Sequence, residues 1–160
     1  MLPISARRVH SLAKSLHSRV HAIFTLESLF PGWNNRSRNA PMTRILLAED
    51  DNDMRRFLVK ALQNAGHDVV SFDNGQSAYE RLREEPFTLL LTDIVMPEMD
   101  GIELARRATE IDPDLKVMFI TGFAAVALNP DSDAPKDAKV LSKPFHLRDL
   151  VNEVEKMLAA

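Results

Sequence analysis

The chain is predicted to be an α/β protein built on one parallel five-stranded sheet, and two observations carry that prediction. Short runs rich in Leu or β-branched residues near 44–49, 68–72, 87–93, 116–121 and 139–142 alternate with helical patterns. This is the order that buries a parallel sheet under helices on both faces. Four of the five runs also end in chemically active residues. Glu49 and Asp50 follow Ile45-Leu46-Leu47-Ala48, and Asp93 follows Phe87-Thr88-Leu89-Leu90-Leu91-Thr92. Thr121 follows Val117-Met118-Phe119-Ile120, and Lys143 follows Val140-Leu141-Ser142. An acid at the end of a buried strand is costly unless its charge is used.

The helices between the runs are legible from their spacing. Residues 53–65 place Phe57, Leu58, Ala61, Leu62 and Ala65 on one stripe. Asn52 or Asp53 can cap the start, and Gly66 fits the position just past the end. Residues 75–84 carry Ala78, Tyr79 and Leu82. Residues 101–111 carry Leu104, Ala105, Ala108 and Ile111, and Pro113 stops that helix. Residues 146–158 carry Leu147, Leu150, Val151, Val154, Met157 and Leu158. The slot at 123–135 is weak. Its Ala124-Ala125-Val126-Ala127-Leu128 runs into Asn129-Pro130-Asp131-Ser132-Asp133-Ala134-Pro135, so one or two turns and an irregular stretch are expected.

Right-handed crossovers leave few topologies for such a chain. The doubly wound, flavodoxin-like order 2-1-3-4-5 sets strands 1 and 3 side by side with a switch point between them. Ligands of these sheets sit beyond the carboxyl ends of the strands, where Glu49, Asp50, Asp93, Thr121 and Lys143 fall.

The 160 residues suffice for one ordinary domain plus an extension. The absence of Cys excludes disulfides and thiolate metal sites. No apolar run approaches the roughly 20 residues that span a bilayer. A net charge of −3 hides a split: residues 1–41 hold six basic residues and one acid, whereas residues 42–160 hold 14 basic and 22 acidic residues. The segments therefore carry about +5 and −8. Val9, Leu12, Leu16, Val20, Ile23 and Phe24 recur at helical spacing among the basic residues, and Pro31-Gly32 then breaks the pattern. The division expected is a basic, partly helical or disordered extension over 1–41 and a domain over 42–160. Three readings of the extension compete: an artefact of an upstream start codon with Met42 the true start, an amphipathic basic arm for a membrane surface or partner, and an organellar presequence. His17 and His21 are spaced to share a helix face, but no third metal ligand is evident.

Glu49, Asp50 and Asp93 would gather three negative charges at one rim, each raising the pKa of the others. A hard cation removes the conflict, and Mg²⁺ suits carboxylate, carbonyl and water oxygens; the Val95 backbone carbonyl is a further candidate ligand. With phosphate repulsion cancelled, Asp93 can act as the nucleophile toward phosphorus. Lys143 offers a mobile point charge and Thr121 a hydroxyl donor. Each piece alone has an ordinary reading as a turn, cap or loop. Their joint order at strand ends argues for a phosphoryl site. As a strand-end lysine, Lys143 is expected to be mostly solvated, so that Lys143→Ala leaves the fold intact but weakens switching.

These motifs resemble the receiver domain of two-component response regulators. The likeness is carried by Glu49-Asp50-Asp51, Thr92-Asp93-Ile94-Val95-Met96-Pro97, Met99-Asp100-Gly101, Ile120-Thr121-Gly122 and Lys143-Pro144-Phe145. The resemblance implies that Asp93 is the phosphoacceptor from a histidine kinase or histidine phosphotransferase, and that Glu49 and Asp50 are the acidic pair, with Asp50 the direct Mg²⁺ ligand. It implies that Thr121 and Lys143 contact the phosphoryl group, that the Lys143-Pro144 bond is cis, and that the protein is cytoplasmic. It also implies no enzyme activity beyond self-catalysed phosphorylation and dephosphorylation. One departure stands out. Where many members carry an aromatic three residues before the lysine, this chain has Val140, so three readings compete: Phe123 is the switching aromatic, the loop 122–135 orders as a unit, or Phe123 has no switching role. Val95, in the position of the second acid of aspartate-dependent phosphohydrolases, argues against that enzyme class.

Nothing follows the last predicted helix and the domain is acidic, so a nucleic-acid partner is not expected. Stand-alone alphaproteobacterial members of the family are similar in wording. They imply a place in a cell-cycle phosphorelay and an unphosphorylated form that primes the ClpXP protease. Leu158-Ala159-Ala160 is similar to the end of tags read by that protease, and reads equally as a helix that frays in small residues. A pure phosphate sink without an output partner fits the sequence equally.

Overall fold

A computed structural model describes residues 43–160. The readings of residues 1–41, including the His17 and His21 pair, and Met42 as a start lie outside the described residues. The elements are β1 (Arg44–Ala48), α1 (Asn52–Asn64), β2 (Asp68–Phe72), α2 (Gly75–Glu84), β3 (Leu89–Thr92), α3 (Gly101–Ile111), β4 (Lys116–Thr121), α4 (Ala124–Leu128), β5 (Lys139–Ser142) and α5 (Leu147–Ala159). The strands pair in parallel in the order β2-β1-β3-β4-β5, as the alternation predicts.

Side-chain alternation along each strand supplies both faces of the sheet. Ile45, Leu47, Leu89, Leu91, Met118 and Ile120 join Leu58 and Leu62 of α1 and Leu150, Val154 and Met157 of α5. Leu46, Ala48, Leu90, Val117 and Phe119 join Ala78 and Leu82 of α2 and Leu104, Ala105 and Ala108 of α3. Burying each such leucine contributes about 2 kcal/mol, so the central strands hold their line and their carboxyl ends are firmly placed.

The caps explain where the helices begin. Asp51, Asn74 and Asp100 accept hydrogen bonds from the N–H groups of Met54, Ser77 and Glu103. For α1 this corrects the expectation of Asn52 or Asp53: Asp51 has the extended backbone of an N-cap, whereas Asn52 already lies in the helix. Gly66, just past the Ala65 cap, has φ 96°, a conformation that favours glycine.

The apolar stripes are narrower than the spacing suggests. Phe57 is 61% exposed, and Ile111 and Leu147 also face solvent. A helix laid on a sheet covers a stripe of roughly 100°. In α1 that stripe centres on Leu58 and Leu62, leaving Phe57 outside it. The weak fourth slot is a five-residue helix with no side-chain cap and no buried residue, followed by an irregular stretch to β5, as its composition predicts.

Candidate functional site

The carboxyl ends of β1 and β3 converge because their backbones are tied together there. The Asp93 N–H donates to the Ala48 carbonyl at 3.0 Å, and the Glu49 N–H donates to the Phe72 carbonyl at 3.0 Å. Both acids are therefore fixed at the sheet rim before their side chains make any contact. Glu49 is buried at 1% exposure and Asp93 at 8%, while Asp50 faces solvent. Oxygen atoms of these three carboxylates all lie within 4.8 Å of one another.

Lys143 closes this cluster. Its backbone N–H donates to the Thr121 carbonyl at 2.9 Å, which extends the β4–β5 ladder by one residue. Its Nζ then donates to Glu49 Oε2 and to Asp93 Oδ2, both at 2.8 Å. The expectation of a mostly solvated lysine is thus corrected: the side chain is only 23% exposed. The cause is the buried Glu49, whose charge needs a partner and finds it across the crevice. Each acid has one oxygen left. Glu49 Oε1 accepts the Asp51 N–H at 3.1 Å, and Asp93 Oδ1 accepts the Ile94 N–H at 2.6 Å. The Lys143–Pro144 peptide is cis, as the resemblance implies.

The electrostatics follow from this geometry. Burial pushes the Glu49 carboxyl above the usual carboxylate range, more than its bonds to Lys143 and the Asp51 N–H pull it down. Burial also works to lower the Lys143 pKa, but the bonds from its ammonium to Asp93 and Glu49 outweigh this and hold it above its ordinary value. The result is a caged ammonium between two acids, with a third acid open to solvent.

The other expected residues sit around this core in different ways. Thr121 is fully buried at the end of β4, and its Oγ1 accepts the Phe123 N–H at 3.1 Å. No hydrogen bond joins it to Asp93 among the described residues. Val95 is 55% exposed in the loop between β3 and α3. That loop is held by Met96 and Met99, which pack into the core, and by the Gly101 N–H, which donates to the Ile94 carbonyl at 2.8 Å. Gly101 is required there, because a Cβ would lie 1.8 Å from the Asp93 carbonyl oxygen. Val140 is half-buried against the core in register with Phe119, and Phe123 is 57% exposed at the mouth of the following loop.

Sequence reasoning missed one residue. Arg55, in the first turn of α1, donates from Nη1 to the Glu49 carbonyl at 2.7 Å and from Nη2 to Asn52 Oδ1 at 2.6 Å. Its spacing three residues after Asn52 was the only available signal. The longer bond to Glu49 depends on how α1 leaves the sheet.

A family model for the response regulator receiver domain matches residues 45–155. The chain belongs to that family. The receiver is 88% identical over 119 residues to the response regulator receiver protein CpdR of Brucella abortus (strain 2308), a match covering 74% of this chain and 99% of that protein. It is 38% identical over 118 residues to the sensor kinase CckA of the same organism, covering 71% of this chain and 12% of the kinase. Among solved structures, the response regulator TrrA of Thermotoga maritima, in complex with Mg²⁺-BeF, aligns with a TM-score of 0.65 and 27% identity over 72% of this chain and 99% of that one. The sheet order is that of the doubly wound, flavodoxin-like fold, in line with the match to solved receivers. Among the described residues, no helix is long and apolar enough to cross a membrane.

Proposed function

We propose that this receiver accepts a phosphoryl group on Asp93 from a histidine kinase or histidine phosphotransferase and thereby changes which protein it binds. The observation that carries the reading is the Lys143 ammonium held 2.8 Å from both Asp93 and Glu49, with Asp50 in the same cluster. Three hard carboxylate donors within 4.8 Å, one of them solvent-facing, fit Mg²⁺. Glu49, Asp50, Asp93 and the Val95 carbonyl are the groups that would hold it. When bound, Mg²⁺ would supply positive charge that offsets the repulsion between a carboxylate and a phosphoryl group.

In the transfer, an Asp93 carboxylate oxygen forms the new bond to phosphorus as the bond from phosphorus to the donor imidazole nitrogen breaks, and the electron pair stays on the imidazole. Lys143 moves little: its ammonium exchanges a carboxylate oxygen of Asp93 for an oxygen of the phosphoryl group. The Thr121 hydroxyl can donate to that group while its oxygen still accepts the Phe123 N–H. A shift of Thr121 toward the phosphoryl group is then felt at Phe123, which takes the switching role that Val140 lacks an aromatic ring to fill.

The receiver domain is taken to run over residues 42–160, around the 45–155 that the family model matches, with 1–41 as an extension. The finer reading is a regulatory role in cell-cycle proteolysis, with ClpXP as the output partner and the unphosphorylated form the active one; its support is the resemblance of the motifs to stand-alone alphaproteobacterial receivers. Incubation with Mg²⁺ and acetyl phosphate, read by intact mass, is expected to add one phosphoryl group to the wild type and none to Asp93→Asn. An adduct that survives Asp93→Asn, or that forms equally well after chelation of Mg²⁺, overturns the assignment. Pull-downs with wild type and Asp93→Ala test the output. Partners indifferent to phosphorylation would leave only a phosphate sink.

A further inference from the structure

We infer that Arg55 is a positioning residue for the acid cluster, acting on the turn that carries Glu49 and Asp50 rather than on the reacting atoms. This inference rests on the reading of the cluster as a Mg²⁺ site. β1 ends at Ala48, and after one further backbone bond, from the Glu49 N–H to the Phe72 carbonyl, the turn that carries Glu49 and Asp50 is shaped by other bonds. Asp51 supplies three of them. Its N–H donates to Glu49 Oε1, its side chain accepts the Met54 N–H, and its carbonyl accepts the Arg55 N–H at 2.8 Å. The Arg55 guanidinium then spans the turn from the helix side, reaching the Glu49 carbonyl and the Asn52 side chain together. A planar fork can serve two acceptors in fixed directions, whereas an ammonium on a flexible stem is a point charge.

Two effects of Arg55 oppose each other, and this makes the inference testable. Its positive charge beside an acid cluster weakens the attraction for a cation. Its grip on the turn holds two of the three carboxylates where a cation needs them, and groups that orient metal ligands from behind are typically worth 10–100-fold in metal affinity. If positioning dominates, removing the charge weakens Mg²⁺ binding, opposite in sign to the charge effect.

The test is calorimetric titration of MgCl₂ into wild type, Arg55→Ala and Arg55→Lys, with thermal melts in chelator. Both variants are expected to bind Mg²⁺ about tenfold more weakly, and Arg55→Lys, which keeps the charge and a good helix former, is expected to melt close to wild type. At saturating Mg²⁺ the rate of phosphorylation by acetyl phosphate is expected to recover in both, because Arg55 does not touch the reacting atoms. Arg55→Ala binding Mg²⁺ as tightly as wild type or tighter would overturn the inference. So would full rescue by Arg55→Lys, which also decides the matter if Arg55→Ala fails to fold. Wild type that takes up no Mg²⁺ would sink the Mg²⁺ reading of the cluster itself, a different result from equal binding by all three proteins.

Discussion

Every residue of β1 from Ile45 to Ala48 and of β3 from Leu89 to Thr92 is buried, whereas neither β5 nor α4 contains a buried residue. The same sheet thus has a hard centre and softer edges, since β2 on the other side has no buried residue either. On the proposed function, the difference maps onto two tasks, phosphoryl transfer and output. Phosphoryl transfer needs charged groups fixed in place, and Glu49 and Asp93 directly follow two of the buried central strands. Output needs an element with two arrangements of similar free energy. The short, uncapped α4 and the half-covered β5 provide few apolar contacts to oppose a shift. Lys143 joins the regions: its backbone extends the edge ladder from Thr121, while its ammonium reaches the central acids.

The comparison is broken most severely at Gly101. An added Cβ meets the backbone of Asp93, which cannot swing aside as a flexible side chain would. Gly101→Ala is expected to destabilise by about 3 kcal/mol in urea unfolding and to weaken Mg²⁺ binding, because α3 must move away from the Asp93 turn. A near-wild-type midpoint would show the centre to be more pliable than its packing suggests.

Next in size is Lys143→Ala, which leaves the buried Glu49 without its ammonium. Losing one partner of a buried pair costs roughly 3–5 kcal/mol, and the partial exposure of Lys143 reduces the expectation to about 2 kcal/mol in chelator near neutral pH. The pH dependence has a definite sign. The folded-state pKa of Glu49 is already raised by burial and rises further once the lysine is gone. A carboxyl with a higher pKa in the folded state takes up protons preferentially there, so the deficit of the variant shrinks as pH falls through that raised value. Unfolding curves from pH 8 to pH 5 check this, and a deficit independent of pH would mean that Glu49 is not its source.

The smallest expected effect sharpens the contrast from the soft side. Phe123→Ala removes an exposed ring, so stability should change by less than about 0.5 kcal/mol. Phosphorylation should also persist, while the difference in partner capture between phosphorylated and unphosphorylated protein is lost. Pull-downs before and after acetyl phosphate treatment measure it. Unchanged capture would move the switch away from Phe123.

The alternation of apolar runs and helical spacing was enough to predict the sheet order, because burial on both faces leaves a parallel strand little choice of residue or neighbour. Glu49, Asp50, Asp93, Thr121 and Lys143 could be singled out for a related reason: polar groups at the ends of such runs need a use. Phe57 was misread because spacing marks a helix face without saying how much of it a neighbour covers. Lys143 was misread because its solvation depends on Glu49, 94 residues away in the chain.

Local patterns and the cost of burying charge were therefore sufficient to locate the acids, the sheet and the weakness of α4 from the amino-acid sequence alone. Only the tertiary structure decided that one ammonium is shared by two of those acids, that Arg55 grips the turn beneath them, and that Gly101 lies against the Asp93 backbone. Those contacts join residues from different elements, and their distances are set by how the helices and strands pack, which no local pattern encodes.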